Sequence, residues 1–344
     1  MEMYSRKSEI ICEFQNTIES TPIPPGQLYE KACSNDTTTI DAWKAQWLSQ
    51  IKSNKARLTA QGTTFAEHGV GLLFKTLKHK PCIIAGSGPS LKVNAEELKN
   101  RNGITLMSCL HNFHYFEDIG VAPEYYVSLD AGAVTIEEVS EGGTKTPEEY
   151  WAITKDRTLL CFMGTHPTLI EKWQGKIYFF NCPIPDEGLM SDIAAIEPFY
   201  TYVSNGGNVL GSCLYLAKGI MGANPICFIG ADFCFSYDKK FHAWNSKYDA
   251  KLGYVIKAVD VFGNKVLSWQ SYMNFKMWFD YIAESVPGVY INCTEGGCFG
   301  AYPEGNIKNV VQMALSRFNR MYNLHMELEN QCNKPGDNEK KILF

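Results

Sequence analysis

The chain has 344 residues, enough for one large domain with an appendage, and its 45% hydrophobic and 20% charged residues are those of a folded, water-soluble protein. A net charge of −5 excludes a global attraction to nucleic acid or to an anionic membrane. The 12 cysteines lie mostly inside apolar segments without zinc-type spacing, which excludes a zinc module and points to reduced core thiols.

Residues 1–80 read as a helical N-terminal appendage. A Pro-rich break at Pro22, Pro24 and Pro25 precedes apolar residues at helical spacing, Ile40, Trp43, Trp47, Ile51 and Leu58. Between Lys44 and Lys80 seven basic residues face one acidic residue, Glu67. A solvated helix face explains this, and a docking surface for a polyanion such as DNA is the sharper alternative. No signal-peptide pattern opens the chain and no apolar run approaches a membrane span, so a cytoplasmic location is expected.

From 81 to 330 short β-rich runs alternate with helical stretches: Cys82 to Ala85, Ile104 to Ser108, Tyr125 to Asp130, Thr158 to Met163, Lys176 to Asn181, Pro225 to Gly230 and Val289 to Asn292. This predicts an α/β, Rossmann-like, mostly parallel sheet flanked by helices. Ligands of such sheets sit at the carboxyl ends of the strands, where this chain places its polar and glycine residues. Glu141 to Glu149 reads as a loop or lid, and 331–344 as a polar C-terminal tail.

The first chemical motif is Gly86-Ser87-Gly88-Pro89-Ser90-Leu91-Lys92, between an apolar strand and a helix start. The arrangement predicts a phosphate cradle, although neither the Walker pattern nor a full Gly-x-Gly-x-x-Gly is present. Asn205-Gly206-Gly207-Asn208 opens an apolar helix that runs toward Met221. It offers backbone donors and two side-chain amides, or plain N-capping. Gly230-Ala231-Asp232 with His242 supplies an acid or base, and Asp130 a second carboxylate; Asp130 and Asp232 together suit Mg²⁺. Asn292-Cys293-Thr294-Glu295-Gly296-Gly297 ends the last strand with a hydroxyl and a carboxylate beside a glycine turn.

In this order, Ile83 to Leu91, Tyr126 to Asp130, Gly206 to Val209, Gly230-Ala231-Asp232 with His242-Ala243, and Asn292 to Gly297 resemble the MptE-like family. That family includes 6-hydroxymethylpterin diphosphokinases and motility-associated glycosyltransferases of flagellin. Ile83 to Lys92 and Asn112 to Asp118 also resemble bacterial lipooligosaccharide sialyltransferases. The second resemblance implies donor contacts from Gly86, Ser87, Gly88, Ser90, Asn112 and Gly206, with Asp232 near the nucleotide and a histidine as base, for which His242 is the candidate. The serine which that family carries near the second helix start is glycine here. Asp130, Asn205, Gly207, Thr294 and Glu295 complete the expected nucleotide site.

Both resemblances imply a nucleotide-dependent transferase. Sugar transfer from a nucleotide sugar to an acceptor hydroxyl on a small molecule, glycan, protein or DNA is the favoured reading. ATP- and Mg²⁺-dependent diphosphate transfer to a hydroxymethyl group is the alternative, and a non-catalytic nucleotide-binding module the third.

Overall fold

The computed structural model describes residues 25–198, 201–235, 243 and 255–332, with side chains between 37 and 328. His242, most of the segment that follows it and the tail beyond Cys332 lie outside the described residues.

Eight strands form one sheet: β1 (Cys82–Ala85), β2 (Thr105–Cys109), β3 (Tyr125–Ser128), β4 (Thr158–Phe162), β5 (Lys176–Phe180), β6 (Ile226–Ile229), β9 (Tyr290–Asn292) and β10 (Val310–Gln312). All pairings are parallel, in the order β10-β9-β6-β1-β2-β3-β4-β5. The chain steps outward from β1 to β5, returns past β1, and builds the other half from β6. The strand order therefore reverses between β1 and β6, the place where the loops of an open α/β sheet diverge.

Side chains of β1 alternate between two cores, Cys82 and Ile84 on one face and Ile83 and Ala85 on the other. Covered on both faces, the inner strands are continuous apolar runs rather than alternating ones. Two features differ from the sequence expectation. β10 is a three-residue strand with one buried side chain, too short to register as a periodic run. The other is an antiparallel pair, β7 (Val255–Val259) with β8 (Lys265–Trp269), turned by Asp260, whose Oδ1 accepts the Phe262 and Asn264 N–H groups.

The N-terminal helix α1 (Pro25–Ala60) shares the core of the sheet domain. Ile40, Ile51 and Leu58 are buried in it, and the side-chain amides of Gln46 and Gln50 donate to the Ala131 carbonyl. Its basic residues are partly neutralised locally, Lys44 by Asp41, Lys55 by Glu197 and Arg57 by Glu171.

The expected lid is tied down. Thr144 N–H and Lys145 Nζ donate to Asp118 at 2.8 and 2.7 Å, and Thr146 forms a capping box with Glu149 that starts the helix Pro147–Ile153. Among the described residues no helix is long and apolar enough to cross a membrane.

Candidate functional site

The glycine turn after β1, where the phosphate cradle is expected, lies at the strand-order reversal, and several of its donors bond to the chain at the end of β6. Gly86 N–H donates to Ile229 O and Gly88 N–H to Gly230 O, both at 2.9 Å. Ser90 gives its N–H to Asp232 Oδ1 at 3.2 Å and its hydroxyl to Asp232 Oδ2 at 2.8 Å. These donors are engaged by the end of β6. The following helix spans only Leu91–Asn94 before it tightens into a 3-10 turn, so no extended helix N-terminus faces a ligand here.

Packing explains the glycines. A Cβ on Gly86 would stand 2.4 Å from the Gly230 carbonyl oxygen, and one on Gly88 only 2.0 Å from Asp232 Oδ2. Asn112, fully buried, donates to the Gly86 carbonyl at 3.0 Å and braces the turn from β2. Asp232 is 2% exposed.

Thr294 and Glu295 also brace rather than face the cavity. Thr294 Oγ1 accepts the Ala231 N–H at 3.1 Å, and Glu295 Oε1 accepts the Leu315 N–H at the start of the C-terminal helix (Leu315–Cys332). Gly206 and Gly207 take left-handed φ values of 55° and 87°. Cβ atoms there would meet Trp278 at 2.4 Å and Phe275 at 2.7 Å. Asn205 Oδ1 accepts the Gly207 N–H, and Asn208 caps the helix Val209–Leu214 through Gly211 N–H, so the N-capping alternative describes Asn208. That helix continues as a π-turn over Tyr215–Ile220.

A cavity of about 870 Å³ opens between α1 and the carboxyl ends of β1 to β5. Of the expected donor residues it contains Ser87, Asp130, Asn205 and Gly207; the lining does not include Gly86, Gly88, Ser90, Asn112, Gly206, Asp232, Thr294 or Glu295. Ser87 marks where the glycine turn meets the cavity, and its carbonyl accepts the Ala243 N–H at 2.9 Å. The chain beside His242 is thereby fastened to the turn, while His242 itself is outside the described residues.

Several lining residues were not singled out as site residues from the sequence. Trp43 and Trp47 of α1 form one wall, and the Trp43 ring lies 3.4 Å from where a Cβ on Gly132 would stand. Trp47 meets Phe162 edge-on at 6.2 Å. His111 Nδ1 lies 2.8 Å from Glu138 Oε1, with both side chains 18% exposed. The tryptophans are spaced as core residues of an amphipathic helix, and 27 residues separate His111 from Glu138, so neither feature forms a local motif. Their signals were the indole pair one helical turn apart and a histidine at a strand end.

Cys182 also lines the cavity. Burial pushes its thiol up to about 12 against a hydrogen bond with Asn205, which leaves it unsuited as a nucleophile. Of the two carboxylates expected for Mg²⁺, Asp130 lines the cavity, while Asp232 is outside its lining and accepts from Ser90. Asp130 Oδ1 accepts the Gly132 N–H at 2.7 Å, and among the described residues no group of three or more His, Cys, Asp or Glu is placed to hold a metal.

The sequence profile of the family described as 6-hydroxymethylpterin diphosphokinase MptE-like matches residues 56–238. No curated protein matches the chain. Among solved structures the chain is similar to the MAf glycosyltransferase from Magnetospirillum magneticum AMB-1, at 16% identity and a TM-score of 0.49. The similarity covers 76% of this chain and 41% of that one, so the chain spans about two-fifths of that protein's length.

Proposed function

Since the chain belongs to the MptE-like family, which residues 56–238 match, we propose that it is a nucleotide-dependent transferase moving a sugar from a nucleotide-sugar donor to an acceptor hydroxyl. In this reading a base takes the acceptor proton, the acceptor oxygen bonds to the anomeric carbon, and the bond from that carbon to the donor phosphate breaks. The nucleotide leaves with the bonding electron pair. His242 is the proposed base, by its place in the sequence next to Ala243. Ser87 is the donor contact at the mouth of the glycine turn.

The observation that carries the reading is the cavity together with the placement of Asp232. A space of about 870 Å³ suits a nucleotide sugar. Diphosphate transfer from ATP would rely on carboxylates that hold Mg²⁺ across the phosphates, and the second of the two expected carboxylates is bonded to Ser90 behind the turn. Sugar transfer asks no such pair of these residues. A cytoplasmic site of action and an acceptor among small molecules, glycans, proteins or, less favoured, DNA belong to the same proposal.

The test is incubation of the protein with UDP-, CMP- and GDP-sugars and with ATP, each with and without Mg²⁺, while slow donor hydrolysis is followed. Release of a nucleoside mono- or diphosphate from one sugar donor is the expected result. Strict dependence on ATP and Mg²⁺ with AMP release overturns sugar transfer in favour of the diphosphokinase. Binding without turnover, unchanged by His242→Ala, leaves only the non-catalytic module.

A further inference from the structure

We propose that the turn at the amino end of β1, residues 71–80, docks the protein on a membrane leaflet rich in anionic lipid headgroups. The inference concerns the end of the sheet opposite the cavity and holds whichever group the protein transfers.

The basic stretch between Lys44 and Lys80 divides in two in the structure. Lys44, Lys55 and Arg57 pair with carboxylates, whereas no carboxylate of the described residues pairs with Lys75, Lys78 or Lys80. All three of these lysines are exposed. Lys80 and Pro81 lead directly into β1, so the cluster sits at the amino end of the sheet, while the cavity opens at the carboxyl ends.

Exposed apolar side chains stand among these cations. In the 3-10 turn Val70–Leu73 and the residue after it, Val70 and Leu73 are buried, while Leu72 and Phe74 are 61% and 59% exposed. Lys75 Nζ lies 4.7 Å from the centre of the Phe74 ring, so cation and ring form one surface. Val289 adds a third exposed apolar group on the same edge. Its N–H donates to Asn224 Oδ1, and the Asn224 N–H donates to the Lys80 carbonyl.

The backbone holds this display in place. Lys75 and Leu77 give their N–H groups to the Ile220 and Met221 carbonyls, both at 2.9 Å, and Leu77 is buried beneath the turn. Lys75 and His79 take left-handed φ values of 59° and 61°, a conformation uncommon outside glycine, so the turn keeps its shape against a local cost. Side chains presented from a fixed turn need little further ordering when they dock.

Anionic lipid answers both halves of this surface. Its phosphates meet the lysines and its acyl boundary takes Leu72 and Phe74, and interfacial binding grows with both contributions. Lysine stems reach past inserted apolar side chains while their ammonium groups stay with the headgroups. Nucleic acid would answer the lysines through its phosphates and leave Leu72 and Phe74 in water. With a net charge of −5 on the whole chain, the attraction belongs to this face alone.

The whole protein is sedimented with vesicles of phosphatidylcholine and with vesicles that also contain phosphatidylglycerol, at low and at high salt. Partition at low salt should be about tenfold or more stronger into the anionic vesicles, and high salt should abolish the difference. Lys78→Glu with Lys80→Glu, and separately Leu72→Ser with Phe74→Ser, should each lower that partition about tenfold or more. Lys52→Glu, on the helix that covers the carboxyl ends, should leave it within about twofold. Melting temperatures verify the fold of each variant, and the lysine pair carries the test if the apolar pair unfolds. Failure to sediment with anionic vesicles, or equal sedimentation of the wild type and both double variants, overturns the proposal. Retention on double-stranded DNA that needs Lys78 and Lys80 but neither Leu72 nor Phe74, without vesicle binding, overturns it in favour of nucleic acid. Self-association lost with Leu72→Ser and Phe74→Ser, again without vesicle binding, overturns it in favour of an interface between copies of this chain.

Discussion

The carboxylate of Asp232 accepts two hydrogen bonds from Ser90, one from its N–H and one from its hydroxyl, across 142 positions of sequence. This joins the ends of β1 and β6 where the strand order reverses. With Gly86 and Gly88 bonded to Ile229 and Gly230, the turn becomes a rigid floor next to the cavity. Of the turn, Ser87 lines the cavity, together with residues of the neighbouring strand ends.

Gly88 and Asp232 should therefore be energetically coupled. Asp232→Ala removes both bonds from a buried serine, at an expected cost of about 2–3 kcal/mol. Gly88→Ala forces a Cβ to 2.0 Å from Asp232 Oδ2 and should destabilise at least as much. In the double variant the carboxylate is gone while the Gly230 carbonyl, 2.7 Å from that Cβ, still resists. Urea unfolding of all four proteins should give a double-variant loss smaller than the sum of the singles by about 1 kcal/mol or more. Strict additivity would contradict the contact.

The strands of the sheet's centre were legible because burial on both faces makes each an unbroken apolar run, and Cys82 to Ala85 is the plainest case. The turn after it was equally visible, but its meaning was not. The glycines were visible, but the close approach of Gly230 and Asp232 to them was not, because it is made between segments far apart in the chain. The same holds for Gly206 and Gly207, whose neighbours Trp278 and Phe275 lie some 70 positions on. Glu295 stands at a strand end and still turns away, to Leu315. Trp43 and Trp47 carried a helical period that describes core and cavity wall equally well.

Asp118 provides a pH-dependent clamp on the segment 141–146. Burial raises its carboxyl, but bonds from Lys145, Tyr150 and Thr144 outweigh that and hold it below its ordinary value. A carboxyl with a folded pKa below its unfolded one stabilises the fold above the unfolded value and loses that contribution as pH falls through the folded one. The wild type should lose stability on acidification below about pH 4. Asp118→Asn should be less stable at neutral pH, with a shallower decline over the same acid range. Parallel melting-temperature profiles from pH 7 to 3 check this, and equal slopes would remove Asp118 from the account.

Asn54 fastens α1 to the sheet domain. Its Nδ2 donates to the carbonyls of Met163 and Thr165, each at 2.9 Å, and the residue is 1% exposed. Asn54→Ala leaves two carbonyls without this donor in a site that excludes water, which should cost about 2–4 kcal/mol. Lys52→Ala, on the exposed face of the same helix, should stay within about 0.5 kcal/mol of the wild type. Because Trp43 and Trp47 reach the cavity from this helix, a loosened α1 should also weaken a bound ligand. Urea unfolding reads the first effect. Donor titration at a temperature where both variants remain folded reads the second, with Asn54→Ala binding more weakly than Lys52→Ala. Loss of stability with unchanged donor affinity would mean that α1 supports the fold without forming part of the binding wall.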